Sequence, residues 1–129
     1  MKKFAMSLFS LFVLGILSQS ASALPAVAKL WLEDAYAKSP VIEAAKEAKC
    51  NVCHYGTSKK NRNDYGTALS KIGVTQDNYN KLKGDQEKLN LVLKAMFKKA
   101  ESAKSVSGKT FGELIKEGKL PGTAPEDEN

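Results

Sequence analysis

Two cysteines and the single histidine of the chain stand together in the segment Cys50-Asn51-Val52-Cys53-His54. CxxCH is the pattern that attaches a c-type haem covalently. In that chemistry each thiol forms a thioether with one haem vinyl group, and the imidazole becomes the proximal ligand of the iron. On a helix, the spacing i, i+3 and i+4 places all three side chains on one face. We therefore predict one covalent haem c, held by Cys50 and Cys53, with His54 on the iron.

Three other interpretations of the two cysteines are weaker. A structural zinc site needs four ligands, whereas the chain has two Cys and one His, so carboxylates would have to complete the site. A thioredoxin-like redox pair needs a βαβ context, and no segment of this sequence has a convincing strand pattern. A plain local disulfide beside a bystander His54 is the simplest alternative. Haem attachment accounts for all three side chains at once.

The amino terminus has the pattern of a secretory signal. Lys2 and Lys3 precede an apolar stretch over 4–17, and Ala21-Ser22-Ala23 forms an A-x-A cleavage site. The apolar stretch is short for a membrane anchor, which is the alternative interpretation. We predict a signal peptide over 1–23 and a periplasmic or otherwise exported domain over 24–129, without stable membrane insertion after cleavage. Covalent haem attachment takes place in that same compartment in bacteria.

The charge of the chain limits its partners. The formal net charge is +6, and without Lys2 and Lys3 the predicted mature part has 18 basic residues against 14 acidic ones. Arg62 is the only arginine, so the surface lacks the forked donors that favour phosphate and base-edge recognition. We therefore expect acidic redox proteins as partners and no nucleic acid.

Helical patterns separated by Gly or Asn run through the mature chain, with no internal repeat. Four short helices are predicted before residue 85, over residues 26–38, 39–56, 64–72 and 75–82. The second is capped by Ser39, has Pro40 at its first position, and continues through the haem motif.

The fifth helix has the clearest pattern. It begins after Asp85 as cap, and its apolar residues recur at i, i+3, i+4 and i+7. These residues are Leu89, Val92, Leu93, Met96, Phe97, Ala100 and Ala103. A capping box from Thr110 to Glu113 begins a sixth helix, and an acidic frayed tail is expected from about residue 121. The sequence predicts an all-α domain of five to six short helices around one haem.

Three segments together resemble the small monohaem cytochromes c that planctomycete bacteria export. They are the CxxCH segment, the stretch Ser58-Lys59-Lys60-Asn61-Arg62-Asn63-Asp64-Tyr65-Gly66, and the closing Thr110-Phe111-Gly112-Glu113-Leu114-Ile115-Lys116 with Gly118-Lys119-Leu120-Pro121. The resemblance implies a cytochrome c-like fold with either electron transfer or ligand binding at the haem. It does not choose between the two.

The sixth iron ligand would make that choice. Ordinary cytochromes c place a ligand Met on a loop before the last helix, but the only methionine of the predicted mature chain is Met96, inside the fifth helix. Met96 is therefore the candidate distal ligand, with a core position as the alternative. An open site, a lysine, or a ligand from a partner subunit are the other options.

Several further residues are candidates for the haem pocket. The aromatic residues Trp31, Tyr55 and Tyr65 flank the motif and are expected near the haem, with ordinary core positions as the alternative. Arg62 follows the proximal ligand closely enough to hold a propionate. A basic cluster is predicted around the exposed haem edge, with a plain solvated face as its alternative. Its members are Lys46, Lys49, Lys59, Lys60 and Arg62.

Two functions follow from these predictions. In the first, the protein is a periplasmic electron carrier whose iron cycles between ferric and ferrous, and it is not an enzyme. In the second, NO or CO binds at an open or weakly occupied distal site, in a subunit that pairs with a second small cytochrome.

Overall fold

A computed structural model describes residues 24–56 and 60–125 of the chain. The predicted signal peptide over 1–23 lies outside these residues, as do Lys59 and the acidic residues 126–128. Within the described residues, six α-helices and one two-stranded antiparallel pairing form the fold. The helices are α1 (Pro25–Leu30), α2 (Ile42–Ala48), α3 (Asp64–Ile72), α4 (Gln76–Leu82), α5 (Gln86–Ala100) and α6 (Phe111–Lys116), and the strands are β1 (His54–Tyr55) and β2 (Asn61–Arg62). None of the described helices is long and apolar enough to cross a membrane.

The mostly helical structure agrees with the predicted fold class, and its later helices match the predicted bounds closely. Helix α3 spans the predicted residues, and α4, α5 and α6 each begin after a capping residue. Thr75, Asp85 and Thr110 accept a backbone hydrogen bond from the third residue after them, which satisfies a donor that the first helical turn leaves open. Local capping chemistry therefore sets these boundaries.

The first two helices differ from their predicted form. Helix α1 continues into a π-helical turn over Trp31–Ala35. The Tyr36 N–H closes this turn by donating to the Trp31 carbonyl, five residues earlier, at 3.0 Å. Helix α2 begins at Ile42 rather than after Ser39, because the Ser39 carbonyl accepts from the Ile42 N–H at 3.0 Å and forms a tight turn first.

The haem motif is not helical throughout, which corrects the prediction of one helix through it. Helix α2 ends at Ala48, where Lys49 adopts a positive φ of 52°. The motif then continues as a 3-10 turn over Lys49–Val52, a hydrogen-bonded turn at Cys53, and strand β1. Strand β1 pairs with β2 so that His54 lies opposite Arg62.

The core gathers around α5. Leu89, Leu93, Phe97 and Ala100 are buried along one face of α5, as the apolar periodicity predicts, while Met96 at the edge of this face is partly buried. Helix α3 packs against α5 and contributes Tyr65, whose side chain is fully buried. The core thus joins the helices before and after the motif.

The carboxyl-terminal segment is not frayed at residue 121, which also differs from the prediction. Pro121 is fully buried, and the Thr123 N–H donates to the Asp64 carboxylate at 2.6 Å. The same carboxylate accepts from the Val106 N–H at 3.0 Å. Asp64 therefore ties two distant segments to the start of α3.

Replacing Thr110 by Ala is expected to cost about 1 kcal/mol of unfolding free energy, because the capping box loses its side-chain acceptor. The Thr110 hydroxyl accepts from the Glu113 N–H at 3.1 Å, and the Thr110 N–H donates to the Glu113 carboxylate and holds its pKa below the ordinary value. Urea unfolding measures the change. Thr67→Ala, at an exposed position within α3, is the control and should change stability by much less.

Candidate haem site

A cavity of about 540 Å³ lies between the haem motif and the helices on either side of it. Cys50, Cys53 and His54 all line it. The motif therefore brings its three side chains to one space although it is not a continuous helix. The volume lies within the range of about 300–1,000 Å³ that is usual for cofactor and small-molecule sites.

The walls of the cavity are mainly apolar. Leu24, Val27, Trp31 and Leu32 line it from α1 and the π-helical turn, and Val52, Leu69, Val74 and Phe97 line it from the other elements. Apolar walls of this kind suit a large, flat apolar cofactor and exclude water from its centre. Together with two thiols and an imidazole, they fit a covalently held haem.

The ring of His54 is held in one tautomer. Its Nδ1 lies 3.1 Å from the carbonyl oxygen of Asn61 in the paired strand β2. A carbonyl can only accept, so Nδ1 carries the proton and donates it, and Nε2 carries the lone pair. Histidines that bind a metal usually donate their second ring N–H to a backbone carbonyl or a carboxylate in this way. In the neutral ring, this arrangement is the one in which Nε2 carries the lone pair that a metal ligand needs.

The two thiols differ in their surroundings. Burial, and then the neighbouring Cys50, raise the pKa of the Cys53 thiol to about 12. Both cysteines are free thiols in the structure and are partly buried. The structure thus presents Cys53 in its neutral form at the wall of the cavity.

Asn63 holds the motif from behind. Its side chain is buried, with 3% of the residue exposed, and its Nδ2 donates to the Val52 carbonyl at 3.0 Å and to the Asn51 carbonyl at 3.4 Å. The Asn63 N–H donates to the Cys53 carbonyl at 2.9 Å, and Oδ1 accepts from the Gly66 N–H at 2.9 Å. These bonds engage carbonyls that a continuous helix would use internally. They explain why the motif leaves the helical conformation.

Two glycines are required where backbone packs closely around Asn63. A methyl group on Gly66 would overlap the carbonyl oxygen of Cys53, and one on Gly122 would overlap the side-chain amide of Asn63. Helix α3 can therefore approach the motif closely only with Gly at position 66. The carboxyl-terminal segment likewise needs Gly122 to reach Asn63.

The structure places the predicted pocket residues in three different surroundings. Trp31 and Arg62 line the cavity, and Lys49 lines it too. Tyr55 lies at a second cleft with Lys60 and also Arg62, so Arg62 stands between the two spaces. Tyr65 lies in the core behind Trp31, where its hydroxyl accepts from the Trp31 Nε1–H at 2.9 Å.

Met96 lies beside the cavity rather than in its wall. Its side chain packs against Gly73. A Cβ atom built on Gly73 would lie 3.0 Å from Cε and 3.7 Å from Sδ of Met96. The residues that follow Gly73, from Val74 to Asp77, line the cavity themselves. Met96 thus contacts the start of a segment that forms part of the cavity wall, and among the described residues no methionine lines the cavity.

Sequence reasoning missed several residues of this site. Asn61 supplies the carbonyl for His54, and residues 74–77 supply one wall. The Asn61 contact is a backbone contact, which side-chain identity does not reveal. Asn63 had a detectable signal, because an Asn immediately before a helix is a common cap. Its additional contacts to the motif depend on the tertiary fold.

The comparisons with known proteins return no match, whether with protein-family models, with curated proteins or with solved structures. Within the described residues, no group of three or more His, Cys, Asp or Glu side chains is arranged to hold a metal ion by itself. The family of the chain therefore stays open, and the chemistry of the site rests on its own residues.

Proposed function

We propose that this protein is an exported monohaem c-type cytochrome that carries electrons. The observation that supports the proposal best is the arrangement of the motif in one apolar cavity. Cys50, Cys53 and His54 all line that cavity, and the Asn61 carbonyl accepts from the His54 Nδ1–H, which in the neutral ring would leave Nε2 to bind iron. A bystander histidine beside a disulfide would have no need of this arrangement.

Each group of residues has a distinct task in this proposal. Cys50 and Cys53 would hold the haem covalently, and His54 would bind its iron. The hydrogen bond to Asn61 orients the imidazole and makes it a more basic ligand. The apolar walls exclude water and so favour the less charged ferrous form. When bound, the haem supplies the iron that alternates between ferric and ferrous.

Intact-mass measurement tests the proposal directly. The protein is expressed with its full amino-terminal segment in a host that exports and attaches haem, and its mass and optical spectrum are recorded. We expect cleavage after Ala23 and one added haem, with a c-type spectrum in the reduced form. A mature protein with no added mass would contradict the proposal.

One observation favours a second candidate function, in which the haem binds NO or CO. Beyond the motif itself, no Met, His or Cys lines the cavity among the described residues, while Gln76 and Asp77 do. These polar side chains are weaker iron ligands than a thioether or imidazole. A haem here would then keep an open or weakly occupied distal position, as in a ligand-binding subunit.

Replacing Met96 by Leu separates the two functions. If Met96 ligates the iron, the variant should lose the sulfur-to-iron absorption band, gain CO binding and shift to a lower potential. If Met96 only packs against Gly73, the near-equal volume of Leu should cost less than about 1.5 kcal/mol and leave spectrum and potential unchanged. We expect the unchanged spectrum, because Met96 does not line the cavity. CO binding by the wild type would then favour the ligand-binding function.

Lysines beside the cavity are proposed to guide an acidic redox partner, or a second small cytochrome with an acidic face. Lys60, Lys71 and Arg62 share the second cleft, and Lys49 lines the main cavity. Lys60→Glu should slow electron transfer to an acidic partner at low salt, and the difference should shrink as salt screens it. Lys83→Glu, which lines neither space, is the control. Equal rates for the two variants at every salt concentration would contradict this role.

A further inference from the structure

A series of polar aromatic side chains runs through the otherwise apolar core. The Trp31 Nε1–H donates to the Tyr65 hydroxyl at 2.9 Å, and the Trp31 ring packs against the ring of Tyr36. The Tyr36 hydroxyl donates to Oε1 of Glu101 at 3.0 Å. All three aromatic side chains are buried. We call these four residues the Trp31–Glu101 chain.

The rings of this chain are also in close contact. The π-helical turn places Tyr36 five residues after Trp31 on the same side, with ring centroids 4.3 Å apart and an interplanar angle of 36°. Tyr65 meets Trp31 edge to face, with centroids 6.4 Å apart. Packing alone does not require the hydroxyl groups, because Phe would fill the same space without buried polar atoms.

The two ends of the chain lie in different surroundings. Trp31 lines the cavity of the proposed haem. The Glu101 side chain is 18% exposed, and its Oε2 accepts from Lys98 at 2.8 Å. The Trp31–Glu101 chain therefore connects the cavity to the protein surface across the core.

Trp and Tyr are the side chains most readily oxidised by one electron without forming sulfur products. A phenol that loses an electron becomes a strong acid, so its oxidation is easiest where a base already accepts its hydrogen bond. The Glu101 carboxylate is such a base. Burial and the same carboxylate keep the pKa of Tyr36 above its ordinary value, so the phenol holds its proton until it is oxidised.

We propose that Trp31 and Tyr36 form a redox relay that removes an oxidising equivalent from the cavity. A strong one-electron oxidant in the cavity, such as a haem that has reacted with peroxide, takes one electron from Trp31 and is reduced by one electron. Tyr36 returns one electron to Trp31, and its O–H bond breaks as the proton passes to Oε1 of Glu101. The products are a neutral tyrosyl radical, a protonated Glu101 and a restored Trp31.

The relay rests on the proposed function, because the haem would be the site of the oxidant. Its consequence is protection of the cavity, since the radical reaches a residue whose proton acceptor lies at the edge of the core and is partly exposed to solvent. External reductants can then quench it without entering the cavity.

Electron paramagnetic resonance tests the relay. Ferric wild-type protein is mixed with hydrogen peroxide, frozen rapidly, and compared with protein that carries ring-deuterated tyrosine. We expect a radical whose hyperfine pattern changes with the label. The signal should be lost in Tyr36→Phe and fall several-fold in Glu101→Gln, whose amide cannot take the proton. Tyr79→Phe, outside the Trp31–Glu101 chain, is the control and should keep the signal.

Thermal unfolding of the three variants verifies that they are folded. A tyrosyl signal of equal strength in Tyr36→Phe would overturn the relay, as would a signal in Glu101→Gln equal to that of the wild type. If the protein carries no haem, the proposed function fails but the relay can still be tested. Photogenerated tris(bipyridine)ruthenium(III) then supplies the oxidising equivalent. The relay stands only if part of the radical signal is lost in Tyr36→Phe.

Discussion

Replacing Gly66 by Ala is expected to destabilise the protein by about 3 kcal/mol or more, at the upper end of what overpacking usually costs. The new methyl group would overlap the Cys53 carbonyl oxygen and stand 3.2 Å from Cys53 Cβ. Neither backbone segment can move away easily, because the Asn63 N–H donates to the same carbonyl at 2.9 Å. Relief of the overlap would separate α3 from the motif and displace the predicted thioether positions.

Urea unfolding of Gly66→Ala measures this effect, with Gly84→Ala as the matched control. No heavy atom lies within 4 Å of a Cβ built on Gly84, and its φ is not positive. The control should therefore be neutral or slightly stabilising, by up to about 1 kcal/mol, because Ala restricts the unfolded chain. If both variants lost similar amounts of unfolding free energy, the close approach of α3 to the motif would not be the reason that position 66 requires Gly.

Replacing both Cys50 and Cys53 by Ala should abolish covalent haem attachment and leave little folded protein in the exported fraction. The reason is that both thiols line the one cavity and would each bind one vinyl group of the same cofactor. The cavity of about 540 Å³ would then lack the apolar plate that fills it, and unfilled apolar cavities are destabilising. Intact mass and the yield of soluble protein measure the two losses.

His54→Ala provides the contrast to the double cysteine variant. It should keep the covalent adduct, because both thiols remain, but it should change the optical spectrum, because the proximal nitrogen is gone. If the double cysteine variant were exported with normal yield and stability, a filled cavity would not be part of this fold. The cysteines would then be better explained as an ordinary thiol pair.

The later helices could be predicted from the sequence because their boundaries depend on local chemistry. Asp85 and Thr110 cap helices through hydrogen bonds to residues three positions ahead, so the necessary information lies within one turn. The apolar periodicity of α5 likewise predicted its buried face. Such signals need no knowledge of the rest of the chain.

The conformation of the motif could not be predicted in this way. The i, i+3, i+4 spacing indicated a helix. However, the Asn63 side chain donates hydrogen bonds to the Val52 and Asn51 carbonyls, which lie more than ten residues earlier in the chain. The identities of Cys50, Cys53 and His54 are a sequence signal, and their common cavity is a tertiary fact. The partner of His54 is a backbone carbonyl, so the Asn61 side chain carries no information about it.

The aromatic residues show the same limit. Trp31 and Tyr65 were equally good candidates for the pocket on sequence grounds, since both lie near the motif. Their hydrogen bond of 2.9 Å places them at different depths, with Trp31 at the cavity and Tyr65 behind it. Sequence distance does not determine depth in a helical core. Only the packing of α3 on α5 does so here.

If the chain is exported and carries haem as proposed, the contact of the carboxyl-terminal segment with Asn63 and Asp64 sets an order of events during biogenesis. A chain is made and exported with its amino-terminal part first, so the cysteines emerge well before Pro121, Gly122 and Thr123 can close against the start of α3. During that interval the motif lacks its last support and its thiols are open to the attachment apparatus. We therefore expect haem attachment to precede the final closure of the fold, with the last described residues sealing a cofactor that is already in place.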